Sequence, residues 1–130
     1  GTHPGKNLLS CTGSGLVGLW SHDDASGRQG WLLESVGGGE FNITVWGGTL
    51  ARCGILSCRR DGHVDLFSHD DRSGRQRWRA IPLEGGAFNF VISGGTDDGK
   101  THLSCTPEGK VDLYSHDDGT GRQQWCLKQL

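Results

Sequence analysis

The chain has no methionine, a single tyrosine, three prolines and a net charge of only −2 over 130 residues. No apolar run approaches the roughly 18 residues needed to cross a bilayer as a helix, so membrane insertion by this chain is not expected. There is no basic stripe of the kind that grips a phosphate backbone, so no nucleic acid partner is expected, and no acidic tail that would stay disordered. No leader with a charged start and an apolar core is visible. Nowhere do apolar residues recur at the three-and-four spacing of an amphipathic helix. What is abundant is glycine, at 23 residues, a profile that fits many short strands joined by turns. One domain spanning 1–130 is the natural division of such a length.

The five cysteines also lack something, namely a pairing pattern. Cys11, Cys58 and Cys105 are 47 residues apart, and each follows Leu-Ser. Alternation along a strand turns Leu and Cys to one inward face, where a thiol behaves as a small hydrophobe. Cys53 and Cys126 have no counterparts in the other copies. An odd count without a pair in each copy is a poor disulfide framework, and free thiols favour a reducing, cytoplasmic setting. The triplet Asn42-Ile43-Thr44 keeps the secreted alternative open, since it is an acceptor for N-glycans there.

One stretch occurs three times. It runs from Val17 to Trp31, from Val64 to Trp78 and from Val111 to Trp125, with a period of 47 residues and no insertion. Ten of its fifteen positions are identical in all three copies, so one supersecondary unit is built three times, over approximately 1–48, 49–95 and 96–130. In the first copy, Asn7–Cys11 reads as a strand, Thr12-Gly13-Ser14-Gly15 as a turn and Leu16–His22 as a second strand. Val17 and Leu19 face the core, and Trp20 and His22 face outward. Asp23-Asp24-Ala25-Ser26-Gly27 reads as a turn, Arg28–Leu33 as a third strand with Trp31 inward, and Phe41–Val45 as a fourth. A single four-strand unit cannot bury its own apolar face. Three of them around a pseudo-threefold axis can, which predicts an all-β chain folded as a β-trefoil.

Gln29-Gly30-Trp31, Gln76-Arg77-Trp78 and Gln123-Gln124-Trp125, each preceded by Val-x-Leu-aromatic, resemble the triple Gln-x-Trp signature of the ricin-B-type β-trefoil lectins. The resemblance implies that Gln-x-Trp is largely structural, that the outward aromatic stacks on a sugar ring, and that polar groups near the hairpin bind its hydroxyls. Three departures limit it. The early-repeat Asp common in that family has no counterpart near Ser-Cys-Thr, the disulfide within each repeat is missing, and the Ser-His-Asp-Asp turn is not part of the general pattern. A galactose preference is therefore not carried over.

The candidate carbohydrate-binding residues are Trp20, His22, Asp23, Asp24 and Arg28, with Phe67, His69, Asp70, Asp71 and Arg75, and with Tyr114, His116, Asp117, Asp118 and Arg122. Sugars need a flat apolar face and a few placed polar groups. The competing reading is a hairpin that satisfies itself, with Asp capping the turn, Arg paired to Asp across it, and the aromatic in cross-strand packing. Adjacent Ser21, His22 and Asp23 cannot form a triad that converges from separate segments, so a non-enzymatic protein is expected. Three repeated histidines at separated hairpin tips are not expected to share a metal, and no cofactor is implied.

These readings point to a lectin with up to three equivalent sites, binding glycans of glycoproteins or glycolipids with avidity gained from clustering. The alternatives are a protein-binding trefoil, such as a protease inhibitor or a cytoskeletal cross-linker, and the targeting module of a toxin. Gly1-Thr2 is in register with Gly48-Thr49, and Leu130 with Val36 and Leu83. The third copy thus lacks a counterpart of the strands at Phe41 and Phe88, which a second copy of the chain or a different chain is expected to supply, since open sheet edges invite pairing.

Overall fold

The computed structural model describes residues 6–49, 54–97 and 99–128. Cys53, and the Gly1, Thr2 and Leu130 positions behind the expected missing strand, lie outside them. Ten strands follow one another: β1 (Leu8–Cys11), β2 (Val17–Trp20), β3 (Trp31–Gly37), β4 (Glu40–Val45), β5 (Ile55–Cys58), β6 (Val64–Phe67), β7 (Trp78–Pro82), β8 (Phe88–Ile92), β9 (His102–Cys105) and β10 (Val111–Tyr114). One 3-10 turn, Glu84–Gly86, is the only helical element among the described residues.

The unit is a short hairpin followed by a long one. The short hairpins β1/β2, β5/β6 and β9/β10 pair in equivalent registers, with Leu9 opposite Leu19, Leu56 opposite Leu66 and Leu103 opposite Leu113. Their turns close a ring about the pseudo-threefold axis. The Leu19 N–H donates to Gly109 O at 2.8 Å, Leu66 N–H to Gly15 O at 3.2 Å, and Leu113 N–H to Gly62 O at 2.9 Å. Each accepting glycine has φ of 94° to 96°, a conformation that L side chains rarely adopt. The long hairpins β3/β4 and β7/β8 bridge neighbouring copies: β4 pairs with β5 and β7, and β8 with β9. The chain is an all-β trefoil.

The core follows the period-2 alternation. Leu19, Leu66 and Leu113, with Cys11, Cys58 and Cys105, are buried in it beside Ile43, Val45, Phe90 and Ile92. The three repeated tryptophans differ, however. Trp78 is 0% exposed, whereas Trp31 and Trp125 are half-buried against the same core. The cause is flanking. β7 is hydrogen-bonded to β4 on one side and β8 on the other, while β3 pairs only with β4 and Trp125 only with Phe88 among the described residues. Two expected boundaries also move. β2 ends at Trp20 instead of His22, because Asp23 and Asp24 bend the backbone immediately afterwards. β3 begins at Trp31 instead of Arg28 and runs to Gly37.

Cys11, Cys58 and Cys105 are free and buried, and Cys126 is free and exposed. Burial pushes the Cys11 thiol up to about 11 and Cys58 to about 12, so neither forms thiolate near neutrality. In native protein at pH 8, iodoacetamide should label Cys126 and spare these three. In denaturant all should react, as peptide mass mapping would read. Native labelling of Cys58 would contradict the packing described.

Candidate functional site

Each repeated stretch turns because its side chains hold its backbone. The first Asp of each pair accepts the N–H two residues on: Ala25 to Asp23 at 2.9 Å, Arg72 to Asp70 at 2.9 Å and Gly119 to Asp117 at 3.0 Å. The second Asp does the same one step later, for Ser26, Ser73 and Thr120 at 2.9 to 3.0 Å. These overlapping Asx turns force the residue after the pair to positive φ: 66° at Ala25, 65° at Arg72 and 80° at Gly119. An L residue in the left-handed region costs roughly 1–2 kcal/mol, and glycine's extra unfolded-state freedom returns part of that. Arg72→Gly should therefore raise stability by about 0.5–1 kcal/mol in chemical denaturation. A loss of stability would show that the arginine side chain contributes more than its backbone strain costs.

The Gln-x-Trp triple braces this turn from behind. Gln29, Gln76 and Gln123 each accept the second Asp's N–H at 3.1 Å and donate from Nε2 to Ser10, Ser57 or Ser104 at 2.8 to 2.9 Å. The indoles of Trp31, Trp78 and Trp125 donate to Leu9, Leu56 and Leu103 carbonyls at 2.9 to 3.0 Å. A further brace comes from the preceding copy. Asn42 Nδ2 donates to Asp70 Oδ2 at 3.1 Å and to Gln76 O at 2.8 Å, and Asn89 does the same to Asp117 and Gln123. A glycan on Asn42 would remove at least one of these bonds, so the sequon nitrogen is already committed to the fold.

The two carboxylates of each pair thus differ in role. Burial opposes ionisation of Asp70, but hydrogen bonds from the Arg72 amide, Asn42 and Arg77 outweigh it and hold its carboxyl below the usual range. Asp117 is likewise held down by the Gly119 amide, Asn89 and Gln124. The second carboxylates, Asp24, Asp71 and Asp118, are lowered by hydrogen bonds from Ser26, Ser73 and Thr120. Their outer oxygens meet Arg28, Arg75 and Arg122 at 3.5, 3.6 and 3.6 Å. Such half-exposed pairs contribute little stability and leave both groups available to a ligand.

The aromatics stand outward, with Trp20 44%, Phe67 38% and Tyr114 44% exposed. Each meets the histidine two residues on, at ring-centroid distances of 6.1, 5.1 and 5.3 Å. The preceding Ser21, Ser68 and Ser115 hydroxyls contact His Nδ1 at 2.9, 2.9 and 2.7 Å.

Two clefts open at equivalent positions. The first, about 470 Å³, is walled by Trp20, Asp24, Arg28 and Gln29 on one side and Ser10, Cys11 and Thr12 on the other. The second, about 430 Å³, has Phe67, Asp71, Arg75 and Gln76 facing Ser57, Cys58 and Arg59. Of the sequence candidates, the aromatic, the second Asp and the Arg therefore meet in a cleft. His22, His69, Asp23 and Asp70 do not line these clefts; the histidines flank the aromatics and the first carboxylates hold the turn. In the third copy, Tyr114, Asp118 and Arg122 repeat the aromatic and the ion pair, His116 sits against Tyr114, and Asp117 is held in the turn. The Ser-Cys wall and the glutamine were not anticipated as lining, although their 47-residue spacing was a signal. Nor was the Asn42 and Asn89 clasp, which Phe-Asn at 41–42 and 88–89 could have marked.

No family model and no curated protein matches this sequence. Solved structures do match its fold. A designed threefold-symmetric protein, ThreeFoil, superposes with a TM-score of 0.70 at 23% identity, over 90% of this chain and 84% of that one. SeviL, solved with the asialo-GM1 saccharide, gives 0.62 at 14% identity over 87% and 79%. The Haemophilus ducreyi cytolethal distending toxin gives 0.70 at 15% identity over 97% and 79%.

Proposed function

We propose that this β-trefoil is a non-catalytic carbohydrate-binding protein that takes glycans of glycoproteins or glycolipids in its repeated clefts. The observation that carries this reading is the recurrence, at equivalent positions, of an outward aromatic beside an ionised Asp–Arg pair across an open cleft of 430 to 470 Å³. The ring offers a C–H face of a pyranose a flat apolar partner. The carboxylate accepts from hydroxyls and the guanidinium donates to them. The carboxylate and guanidinium engage each other at only 3.5 to 3.6 Å, so a hydroxyl can insert without breaking a strong bond. That a trefoil of like fold was solved with a glycolipid saccharide adds support. Several weak sites on one rigid body yield avidity for clustered glycans.

The test is a glycan array, run with the wild type and with Asp24, Asp71 and Asp118 each changed to Asn. Asparagine keeps the acceptor for the turn N–H and removes the charge. Losing charge-assisted hydrogen bonds should weaken binding about tenfold or more while the circular dichroism spectrum is retained. A folded triple variant that binds as before would reduce the hairpin to a turn. The pH dependence has a definite sign. These carboxyls are held below their ordinary value, so they stay charged as pH falls. Binding should persist to about pH 4 and fail only below it. The stability from their hydrogen bonds is present above the ordinary carboxylate value and is lost over the same acidic range.

A further inference from the structure

The two clefts are equivalent in backbone but not in charge. Where the first has Thr12 and Gly13, the second has Arg59 and Arg60, and where the first has Gly18, the second has Asp65. The first cleft holds one guanidinium and one carboxylate, Arg28 and Asp24, paired with each other, and its remaining wall is largely apolar through Leu16, Val17 and Trp20. The second holds three guanidiniums against two carboxylates. Asp71 is paired with Arg75 at 3.6 Å, and Asp65 with Arg59 at 3.2 Å. Arg60 is left over. Its guanidinium has no ion pair among the described residues, and its carbonyl accepts the Asp97 N–H at 2.7 Å, which anchors its backbone.

Resting on the carbohydrate reading, we propose that the cleft of the second repeat selects an acidic saccharide, one carrying a carboxylate or sulfate, while the first takes a neutral one. A planar guanidinium presents donors that match the paired oxygens of either anion. Phe67, 38% exposed in the same cleft, supplies the platform for the ring that carries the anion. The balanced first cleft would have to desolvate an anion against Asp24 with no surplus cation to meet it. The repeats thus differ in specificity although their hairpins are nearly identical.

The experiment uses matched glycan pairs: sulfated and unsulfated forms of one oligosaccharide, and forms with and without a terminal carboxylated sugar. The wild type should prefer the acidic member of a pair, with the preference shrinking as salt rises. Arg60→Gln should lower the ratio of acidic to neutral binding about tenfold. Amide resonances of Arg60 and Phe67 should shift with the acidic ligand, and the Trp20 indole with the neutral one. Equal binding of both members, or an unchanged ratio in Arg60→Gln, would overturn the proposal and leave the carbohydrate reading standing. So would inorganic sulfate alone producing the same shifts at the same concentration, since the site would then recognise an anion and not a sugar. Failure to bind any glycan would remove the carbohydrate reading itself, and this proposal with it.

Discussion

Trp78→Ala is expected to destabilise the fold by about 3–5 kcal/mol, the range of large aromatic deletions from a closed core. Trp78 is the largest fully buried side chain, with no exposed surface, and it stands where three strands meet. Its removal leaves a cavity that β4 and β8, hydrogen-bonded to β7 on both sides, cannot collapse to fill. It also strips the Leu56 carbonyl of its indole donor at 3.0 Å. The same change at Trp31 or Trp125 should cost distinctly less, because each is half-buried and its surroundings can relax or admit water. Urea denaturation of the three variants measures the order. Equal losses at all three positions would mean that flanking does not control how tightly each copy packs.

Gln76→Leu should come next, at about 2–5 kcal/mol. Leucine is near glutamine in size and would pass as a conservative core change if Gln76 only filled space. Gln76 is 2% exposed and satisfies two groups: the Asp71 N–H at 3.1 Å and the Ser57 hydroxyl at 2.9 Å. Leucine leaves both without that partner: the Ser57 hydroxyl is buried and the Asp71 N–H part-buried, and an unpaired polar group shut away from water costs roughly 1–3 kcal/mol. Gln123→Leu should match it, since Gln123 is 1% exposed with the same two bonds, whereas Gln29 is half-buried and water can replace part of what is lost. The change reaches the candidate site as well. Asp71 is aimed into its cleft by a backbone that Gln76 holds, so the glycan binding proposed for the second repeat should weaken even where the variant remains folded. A Gln76→Leu protein as stable as the wild type would show that the turn is held by its Asx bonds alone.

Much of the molecule was legible in the chain itself, for a local physical reason. The 47-residue period is visible because three units solving one packing problem need the same residues at the same places. Strand alternation then assigns Leu19, Leu66 and Leu113 inward and Trp20, Phe67 and Tyr114 outward without any knowledge of the partners. The pairing of the aromatic with the histidine two residues later follows from the same rule, although His22 lies past the end of β2. Asp-Asp followed by Gly announces a turn because its hydrogen bonds close within a few residues.

What the repeats by themselves determined was therefore the unit, its inward and outward faces, and the composition of the turn. Tertiary structure decided everything that depends on two distant stretches meeting. It separated the two aspartates of the second and third pairs, where Asp70 and Asp117 are claimed by Asn42 and Asn89, 28 residues earlier, and of the repeated aspartates it set Asp24 and Asp71 to line the clefts. It placed the Ser-Cys strand opposite the hairpin as the second wall, and it set Arg59, Arg60 and Asp65 around one cleft and not the other. It also made three tryptophans that are identical in the sequence unequal in burial. Alternation and turn chemistry act over a few residues and can be read along the chain. Charge balance in a cleft, and burial between two neighbouring strands, are sums over residues that only the folded trefoil brings together.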